Sequence, residues 1–188
     1  MTCIVGLVER KTVYIGGDSA GTSNWFDQTR VKHPKVFVSQ ADIDDMPVAI
    51  GYSGVFRDGQ IVEHCMRPPF FPTGSNAYAW MVREFVPHLR DTLRAEGAIP
   101  DNKAAASTMN TSFIVGFEGR IFEVQSDFSV LESREGATAI GMGANIALGA
   151  LFTTNAKRAP AEERIRAALR ASAKQNVSVA PPFHVVRV

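Results

Sequence analysis

Cysteine, excess charge and long apolar runs are scarce in this sequence. Its two cysteines, Cys3 and Cys65, show neither metal-ligand spacing nor a disulfide framework. The four histidines are scattered and form no metal box. A net charge of +1 gives no electrostatic case for binding nucleic acid or a membrane surface. No stretch approaches the roughly 20 apolar residues that span a bilayer, so we expect neither membrane nor nucleic-acid partners.

The amino terminus also lacks the pattern of a secretory signal, a basic segment followed by ten or so apolar residues. A short apolar run at residues 3–8 is instead closed by charged residues at 9–11. We therefore expect a cytoplasmic protein with free thiols. No glycine-rich phosphate loop occurs, and no cofactor is predicted. With 188 residues, 45% hydrophobic and 21% charged, residues 1–188 are predicted to form one domain.

Apolar periodicity predicts runs of strands that alternate with pairs of helices. The predicted strands are residues 2–8, 13–17, 35–38, 47–52, 111–116, 120–125, 129–131 and 183–186. The predicted helices are residues 53–66, 75–95, 145–155 and 161–172. Pro87 is expected to kink or split the second helix, and an acidic turn is expected at residues 42–45. This order predicts an α+β fold with helices on both outer faces of packed antiparallel sheets.

Thr2 is the first chemically notable residue, because it begins the first predicted strand. If Met1 is removed, Thr2 carries a hydroxyl nucleophile and a free amine that can act as its base. A small residue after the initiator methionine is the kind that methionine removal tolerates. The alternative is that Thr2 is an ordinary solvent-facing strand residue, since threonine is common in strands.

Five short stretches, in this order, resemble the N-terminal-nucleophile hydrolases, and among them the proteasome β subunits and the HslV-type peptidase. They are Thr-Cys-Ile-Val-Gly at 2–6, Ile-Gly-Gly-Asp-Ser-Ala at 15–20, Pro-Lys-Val at 34–36, Ile-Gly-Tyr-Ser-Gly at 50–54 followed by Asp58, and Ala-Ile-Gly-Met-Gly at 139–143. The resemblance covers nearly the whole chain. It implies a four-layer αββα sandwich in which two antiparallel sheets are covered by helices.

The resemblance also implies catalytic roles. Thr2 is the expected nucleophile, Asp18 the acidic partner of a lysine, and the Gly54 backbone N–H the oxyanion donor. Lys35 fits the lysine better than Lys32, and residues three apart face opposite sides of a regular strand. The alternatives are structural: Asp18 as a turn residue, the lysine as a solvated strand-edge residue, and Gly54 as a loop glycine.

Two departures from the family pattern concern the groups that support the nucleophile. Met142 stands where the family often has a serine, and a thioether makes no useful hydrogen bond there. Asn176 stands near an expected aspartate, with Val179 or Ser178 near an expected serine. The resemblance further assigns backbone groups at Thr22 and Phe56 to holding an extended substrate as an added strand.

The leading functional hypothesis is a threonine peptidase that cleaves peptides or unfolded proteins inside a self-assembled ring. The resemblance implies a homo-oligomer of hexameric or heptameric rings, single or stacked, and allows an ATPase unfoldase partner. The two helices at 53–66 and 75–95 are expected to form ring contacts, with Tyr78, Trp80 and Phe85 as anchors or as core residues. The alternatives are an inactive ring or shell subunit of the same fold, and a small-molecule amidase of the superfamily.

Overall fold

The structure, a computed structural model, describes residues 2–23, 27–40, 46–100, 108–155 and 159–188. The strands are β1 Ile4–Glu9, β2 Thr12–Gly17, β3 Ala20–Ser23, β4 Asp27–Arg30, β5 Val36–Gln40, β6 Pro47–Gly54, β7 Thr111–Phe117, β8 Arg120–Val124, β9 Val130–Glu132, β10 Ala137–Ile140 and β11 His184–Arg187. The helices are α1 Phe56–Cys65, α2 Ala77–Trp80, α3 Val86–Ala95, α4 Ala144–Asn155 and α5 Ala161–Gln175, with a π-helical segment at Met81–Phe85.

The first sheet is antiparallel, with strand order β10-β1-β2-β11. Its central hairpin turns at Arg10 and Lys11, which both have positive φ, as the tight two-residue turns that match strand twist require. Side chains of β1 alternate between its two faces. Val5 and Leu7 pack into the cluster under α4 and α5, whereas Ile4 packs into the cluster between the sheets. Both faces of this sheet are therefore covered.

The second sheet is also antiparallel, with strand order β5-β6-β7-β8-β9. Its outer face carries Tyr52, Phe113 and Phe117 into a large apolar cluster with α1 and α3. Its inner face places Ile114 among residues of the first sheet. The layers are therefore helices, sheet, sheet, helices, which confirms the predicted αββα sandwich.

Pro87 divides the second predicted helix. The chain runs as α2, then the π-helical segment, then α3, in which Pro87 occupies an early position. A proline lacks the N–H that a continuing α-helix needs, and a π-helical turn is one way to absorb this. Trp80 and Phe85 are buried core residues, whereas Tyr78 is 44% exposed. Of the three aromatic anchors considered, only Tyr78 therefore offers an exposed ring.

The remaining strand and helix predictions agree with the structure to within a few residues, but three strands were not predicted. The short ribbon β3–β4 and the strand β10 are absent from the sequence prediction. Each residue of β4 is exposed, so this strand has no apolar alternation to detect. The predicted acidic turn at 42–45 lies outside the described residues, and the prediction of one domain over residues 1–188 stays a prediction.

Candidate active site

Thr2 lies two residues before the first residue of β1 and is only 2% exposed. Its carbonyl oxygen accepts a hydrogen bond from the Gly143 backbone N–H at 3.3 Å. The next residue, Cys3, has its N–H bonded to the Asp18 carboxylate at 2.9 Å. Thr2 is therefore not the solvent-facing strand residue of the structural alternative. Met1 lies outside the described residues.

Lys35 lies directly before β5, and its side chain is 1% exposed. Its Nζ donates to Thr2 Oγ1 at 2.7 Å, to Asp18 Oδ1 at 2.9 Å and to the Ala20 carbonyl at 2.7 Å. An ammonium group has three N–H donors and no acceptor. These three partners use all of them, so each N–H of the ammonium form of Lys35 has an acceptor. Lys32, the other candidate, is exposed.

Asp18 follows β2 and is fully buried. Its Oδ1 accepts from the Lys35 ammonium and from the Cys3 N–H, both at 2.9 Å. Its Oδ2 accepts from the Ala20 N–H at 2.7 Å and from the Ala180 N–H at 3.4 Å. The bond to Ala20 is the local turn contact that the structural alternative expected. Asp18 thus makes both this turn and the ion pair, and so ties β1 to the chain that follows β2.

Burial and charge act on Lys35 in opposite directions. Burial lowers the pKa of Lys35 from its ordinary value of 10.5, and the neighbouring Asp18 carboxylate acts to raise it. The Phe56 ring centroid lies 5.9 Å from the Lys35 Nζ and forms part of the surroundings. A charged amine beside a threonine hydroxyl favours the alkoxide form of that hydroxyl. The arrangement can therefore lower the pKa of an attacking oxygen.

The thiol next to Thr2 has a structural environment. Cys3 is fully buried, and burial raises the pKa of its thiol to about 12. Its Sγ lies 3.6 Å from the Ser172 Oγ, which in turn donates to the Gly143 carbonyl at 2.6 Å. The thiol therefore stays protonated near neutral pH and is not a competing nucleophile. Sequence reasoning missed Ser172, because its contacts join residues far apart in the chain.

The Gly141–Gly143 turn meets Thr2 through its backbone. Gly141 has a φ of +91°, and a Cβ on it would lie 2.3 Å from the Thr2 carbonyl oxygen. A side chain at this position is therefore excluded by both backbone angle and space. Met142 is 56% exposed. The family's serine hydroxyl thus has no counterpart at Met142, but the flanking glycines contact Thr2.

Ser53, near the end of β6, carries another hydroxyl close to Thr2. It belongs to the Ile-Gly-Tyr-Ser-Gly motif at 50–54, and no role was predicted for it. The point at which a Cβ on Gly141 would lie is 2.7 Å from the Ser53 Oγ and 2.3 Å from the Thr2 carbonyl oxygen. Ser53 therefore lies on the same side of β6 as Thr2. The alternation of β6 was the available signal, since Tyr52 and Ser53 must point to opposite faces of the sheet.

Asn176 ends α5 and is engaged in a turn. Its Oδ1 accepts from the Ser178 N–H at 2.9 Å, and its carbonyl accepts from the Val179 N–H at 3.1 Å. Asn176 and Thr22 line the same cavity of about 380 Å³, between the β3–β4 ribbon and the end of α5. The structure therefore brings Asn176, a predicted supporting residue, and Thr22, a predicted substrate-binding residue, to one cavity. The Asn176 side-chain oxygen is engaged locally, by the Ser178 N–H of the same turn.

Gly54 is the last residue of β6, and α1 begins two residues later at Phe56. The predicted oxyanion amide is thus at a strand end and not in the first turn of the helix. The direction of this amide follows from the strand. Tyr52 donates its N–H to the Lys35 carbonyl at 3.1 Å, and N–H groups two residues apart on a strand point to the same side. The Gly54 N–H therefore points away from β7, toward the side where Lys35 lies.

A cavity of about 510 Å³ is lined by Phe56, the residue whose ring lies near Lys35. Its aromatic residues are Phe56 and Tyr52, whose rings pack edge to face at 6.1 Å. Burial raises the pKa of Tyr52 to about 12. The lining also contains Val31, Pro34 and Cys65, together with six charged or polar residues: Lys32, His33, Arg57, Gln60, Glu63 and His64.

Within the described ranges, no cluster of three His, Cys, Asp or Glu side chains is arranged to hold a metal ion. None of the described helices has the length and apolar character that a bilayer crossing requires.

Comparisons with known proteins identify the fold. No protein-family model matches the sequence, and no curated protein matches it. Among solved structures, BPH from Thiobacillus denitrificans has a TM-score of 0.75 at 17% identity, over 100% of this chain and 97% of that chain. HslV from Trypanosoma brucei has a TM-score of 0.68 at 21% identity, over 99% of this chain and 98% of that chain.

A third structural match is Anbu from Pseudomonas aeruginosa, with a TM-score of 0.68 at 13% identity, over 100% of this chain and 81% of that chain. Identities this low establish the fold alone. The chain has the N-terminal-nucleophile hydrolase fold of the proteasome β and HslV type, so the resemblance read from the sequence is confirmed at the level of fold.

Proposed function

We propose that this chain is a threonine-type peptidase of the N-terminal-nucleophile kind, with Thr2 as its nucleophile once Met1 is removed. The observation that carries the proposal is the buried contact of the Lys35 Nζ with both Thr2 Oγ1, at 2.7 Å, and Asp18 Oδ1, at 2.9 Å. Burying a lysine between a carboxylate and a threonine hydroxyl carries a desolvation cost, so a gain in stability alone does not account for the arrangement. It is the arrangement that activates a hydroxyl.

The reaction begins with attack of Thr2 Oγ1 on the carbonyl carbon of a peptide bond. The hydroxyl proton passes to the free Thr2 amine, and the Lys35 ammonium stabilises the developing negative charge on Oγ1. The tetrahedral intermediate then breaks the C–N bond, and the amine-held proton goes to the leaving nitrogen. A water molecule, deprotonated by the same amine, hydrolyses the Thr2 ester and frees the acid product. In this scheme Asp18 orients the Lys35 ammonium and compensates its charge.

The developing oxyanion is proposed to bind the Gly54 backbone N–H. The direction of the Tyr52 N–H toward the Lys35 carbonyl supports an amide at Gly54 that faces the nucleophile. A preorganised N–H aimed at an oxyanion is among the largest single contributions to acyl transfer. Backbone groups at Thr22 and Phe56 are proposed to hold the substrate in an extended conformation on either side of the scissile bond.

The cavity beside Phe56 is proposed to receive the substrate side chain next to the scissile bond. The lining has two basic side chains, Lys32 and Arg57, and one carboxylate, Glu63. Arg57 also pairs with Glu96, outside this lining, at 3.4 Å. His64 Nε2 lies 3.7 Å from the Glu63 carboxylate. The excess positive charge favours acidic side chains, by about three- to fivefold, because exposed charges are screened by water. A panel of peptide amides with Glu, Phe or Lys at this position measures the preference, and Arg57→Glu should reverse it whereas Arg134→Glu should not.

The chain is further proposed to act in the cytoplasm as a closed homo-oligomeric ring, hexameric or heptameric, on peptides or unfolded proteins delivered with or without an ATPase. The solved structure of the Anbu complex from P. aeruginosa is a helical assembly. This supports self-association of chains that have this fold. Phe70, Tyr78 and Val82 are exposed apolar residues around α2 that can contribute to such contacts. Native mass spectrometry measures the number of subunits directly.

A catalytically inactive ring or shell subunit is the second candidate, and two observations favour it. Met142 presents a thioether to solvent, and the Asn176 side-chain oxygen is bonded to a neighbouring N–H. Neither residue therefore supplies the polar groups that the family pattern implies near the terminal amine. A small-molecule amidase would use the same nucleophile, and ring assembly together with hydrolysis of a denatured protein distinguishes the peptidase from it.

The experiment that tests the proposed function combines intact mass spectrometry with a peptide vinyl sulfone, an electrophile that forms a stable ether with an activated hydroxyl. The peptidase should lack Met1 and gain one adduct, and the matched variant Lys35→Met should gain none. A chain that retains Met1 and takes no label contradicts the peptidase and supports the inactive subunit.

A further inference from the structure

The start of β7 lies under the junction between β6 and α1. Thr111 is 1% exposed, and its Oγ1 accepts a hydrogen bond from the Val55 N–H at 3.0 Å. The same hydroxyl donates to Asp58 Oδ2 at 2.7 Å, and Asp58 is 4% exposed. A hydroxyl can accept and donate at once. Thr111 therefore links the first turn of α1 to the residue that follows Gly54.

Gly54 is pressed against this link. Its φ is +144°, and a Cβ on it would lie 2.2 Å from the Asn110 carbonyl oxygen and 2.7 Å from the Thr111 Oγ1. The backbone at Gly54 is therefore in a conformation that only glycine adopts readily. The hydrogen bond from Val55 to Thr111 holds the peptide unit that follows this strained position.

The backbone N–H groups of Gly54 and Val55 point to different sides of the strand end. The Val55 N–H is engaged by Thr111, on the β7 side, whereas the Gly54 N–H points toward the side of Lys35. The Gly54 N–H belongs to the preceding peptide unit, which is joined to the Gly54–Val55 unit through the Gly54 Cα. A shift of the Gly54–Val55 unit therefore displaces the Gly54 Cα and, with it, the N–H that Gly54 carries. Displacement of a catalytic group by about 1 Å can reduce a rate by about 100-fold. The direction of this one amide thus depends on contacts that never reach the substrate.

We propose that Thr111 and Asp58 are positioning residues, which fix the direction of the Gly54 N–H for the oxyanion. The proposal rests on the proposed function, because it assigns this pair to the same Thr2 site. Asp58 holds the Thr111 hydroxyl through a charge-assisted hydrogen bond, which leaves that oxygen's remaining lone pair for Val55. The pair acts on the tetrahedral step and not on the nucleophile.

Two probes separate these steps. A peptide boronate forms a tetrahedral adduct with the threonine hydroxyl and places a negative oxygen at the oxyanion position. A peptide vinyl sulfone joins its β-carbon to the same hydroxyl oxygen, and the hydroxyl proton ends on its α-carbon, with no tetrahedral carbonyl carbon. Both probes need Thr2, but only the boronate needs a correctly directed Gly54 N–H.

The matched variants are Thr111→Val, which removes the hydroxyl at nearly constant volume, and Thr111→Ser, which keeps it. Thr111→Val should lower kcat and boronate affinity by about 100-fold, while the rate of vinyl sulfone labelling stays close to that of the wild type. Thr111→Ser should retain boronate affinity. Asp58→Asn, which weakens the same link, should show the same selective loss of boronate affinity to a smaller degree. It replaces Thr111→Val if that variant does not fold.

Equal losses for both probes, no loss for either, or a Thr111→Ser variant that behaves like Thr111→Val would overturn the positioning role and leave the peptidase standing. A wild-type protein that neither probe modifies would instead overturn the proposed function, and the positioning role with it.

Discussion

Two sides of the Thr2 site are built from different kinds of groups. On one side, the side chains of Lys35 and Asp18 make buried, charge-assisted hydrogen bonds. On the other side, the backbone of the Gly141–Gly143 turn contacts Thr2, and the Ser172 hydroxyl holds that turn by donating a hydrogen bond to the Gly143 carbonyl. Charged side chains thus surround the Thr2 hydroxyl, whereas closely fitting backbone groups contact the Thr2 carbonyl. A departure from the family pattern in the Gly141–Gly143 turn should therefore reduce activity less than a departure at Lys35 or Asp18.

The largest expected effect comes from Thr2, the proposed nucleophile, which both sides of the site contact. Thr2→Ala should lower kcat/KM by roughly 10⁴-fold or more, because no other group replaces the attacking oxygen. Thr2→Ser keeps a hydroxyl and should retain measurable activity. Hydrolysis of a fluorogenic peptide amide measures both variants, and Thr2→Ala with wild-type activity would refute the assignment of the nucleophile.

Lys35→Met tests the charged side of the site. It should abolish hydrolysis and lower the free energy of unfolding by about 3–5 kcal/mol, since it leaves the Asp18 carboxylate buried without its cation. Lys32→Met is the matched control, because Lys32 is exposed three residues away, and it should change neither quantity. Urea denaturation together with peptide hydrolysis measures the two effects. Similar results for both lysines would contradict the ion pair's role.

The dependence of activity on pH should show two limbs with distinct origins. The free Thr2 amine must lose its proton to act as a base, so the rate should rise about tenfold per pH unit below its ordinary pKa of about 7.7–8.0. The Lys35 ammonium must keep its proton. Burial lowers the pKa of Lys35 from 10.5, so the rate should fall again as pH rises, at a pH below 10.5. A profile that keeps rising beyond pH 10.5 would contradict the charged role of Lys35.

Ser172→Ala tests the backbone side of the site and should have a smaller effect. The Gly143 carbonyl loses its 2.6 Å hydrogen bond, which costs about 1–2 kcal/mol of stability when the acceptor stays buried. Thermal unfolding measures this loss. The turn that contacts Thr2 is then less fixed, and kcat should fall by a few fold with little change in KM. A loss of activity as large as that of Lys35→Met would contradict the division between the two sides.

Met142→Ser should have the smallest effect. The Met142 side chain is 56% exposed, and the contacts of this turn with Thr2 come from the glycines beside it. Activity should therefore change by less than about twofold, within what exposed substitutions usually produce. A large gain in kcat would show that the departure at this position impairs the site, and would favour the weakened-subunit alternative.

The sequence patterns predicted the order of the main elements, and the family resemblance implied Thr2, Asp18 and Lys35, which the structure brings together. The alternation of strand residues allowed only one of Lys32 and Lys35 to face Thr2, and the fit to the family motif favoured Lys35. Thr111 and Ser172 escaped notice, because their hydrogen bonds join residues 56 and 29 positions apart. The β3–β4 ribbon was missed for a different reason, since β3 has only four residues and β4 is exposed throughout, so neither carries an apolar alternation.

The most direct test of the central claim uses an epoxyketone peptide such as epoxomicin, the compound named in a structure of the related fold from T. denitrificans. An epoxyketone couples to a hydroxyl and an amine on the same residue, so it reports both the removal of Met1 and the reactivity of Thr2. Peptide mapping by mass spectrometry should find a single adduct on Thr2 in the wild type and none in Lys35→Met. A wild-type chain that retains Met1 and stays unmodified would contradict the account.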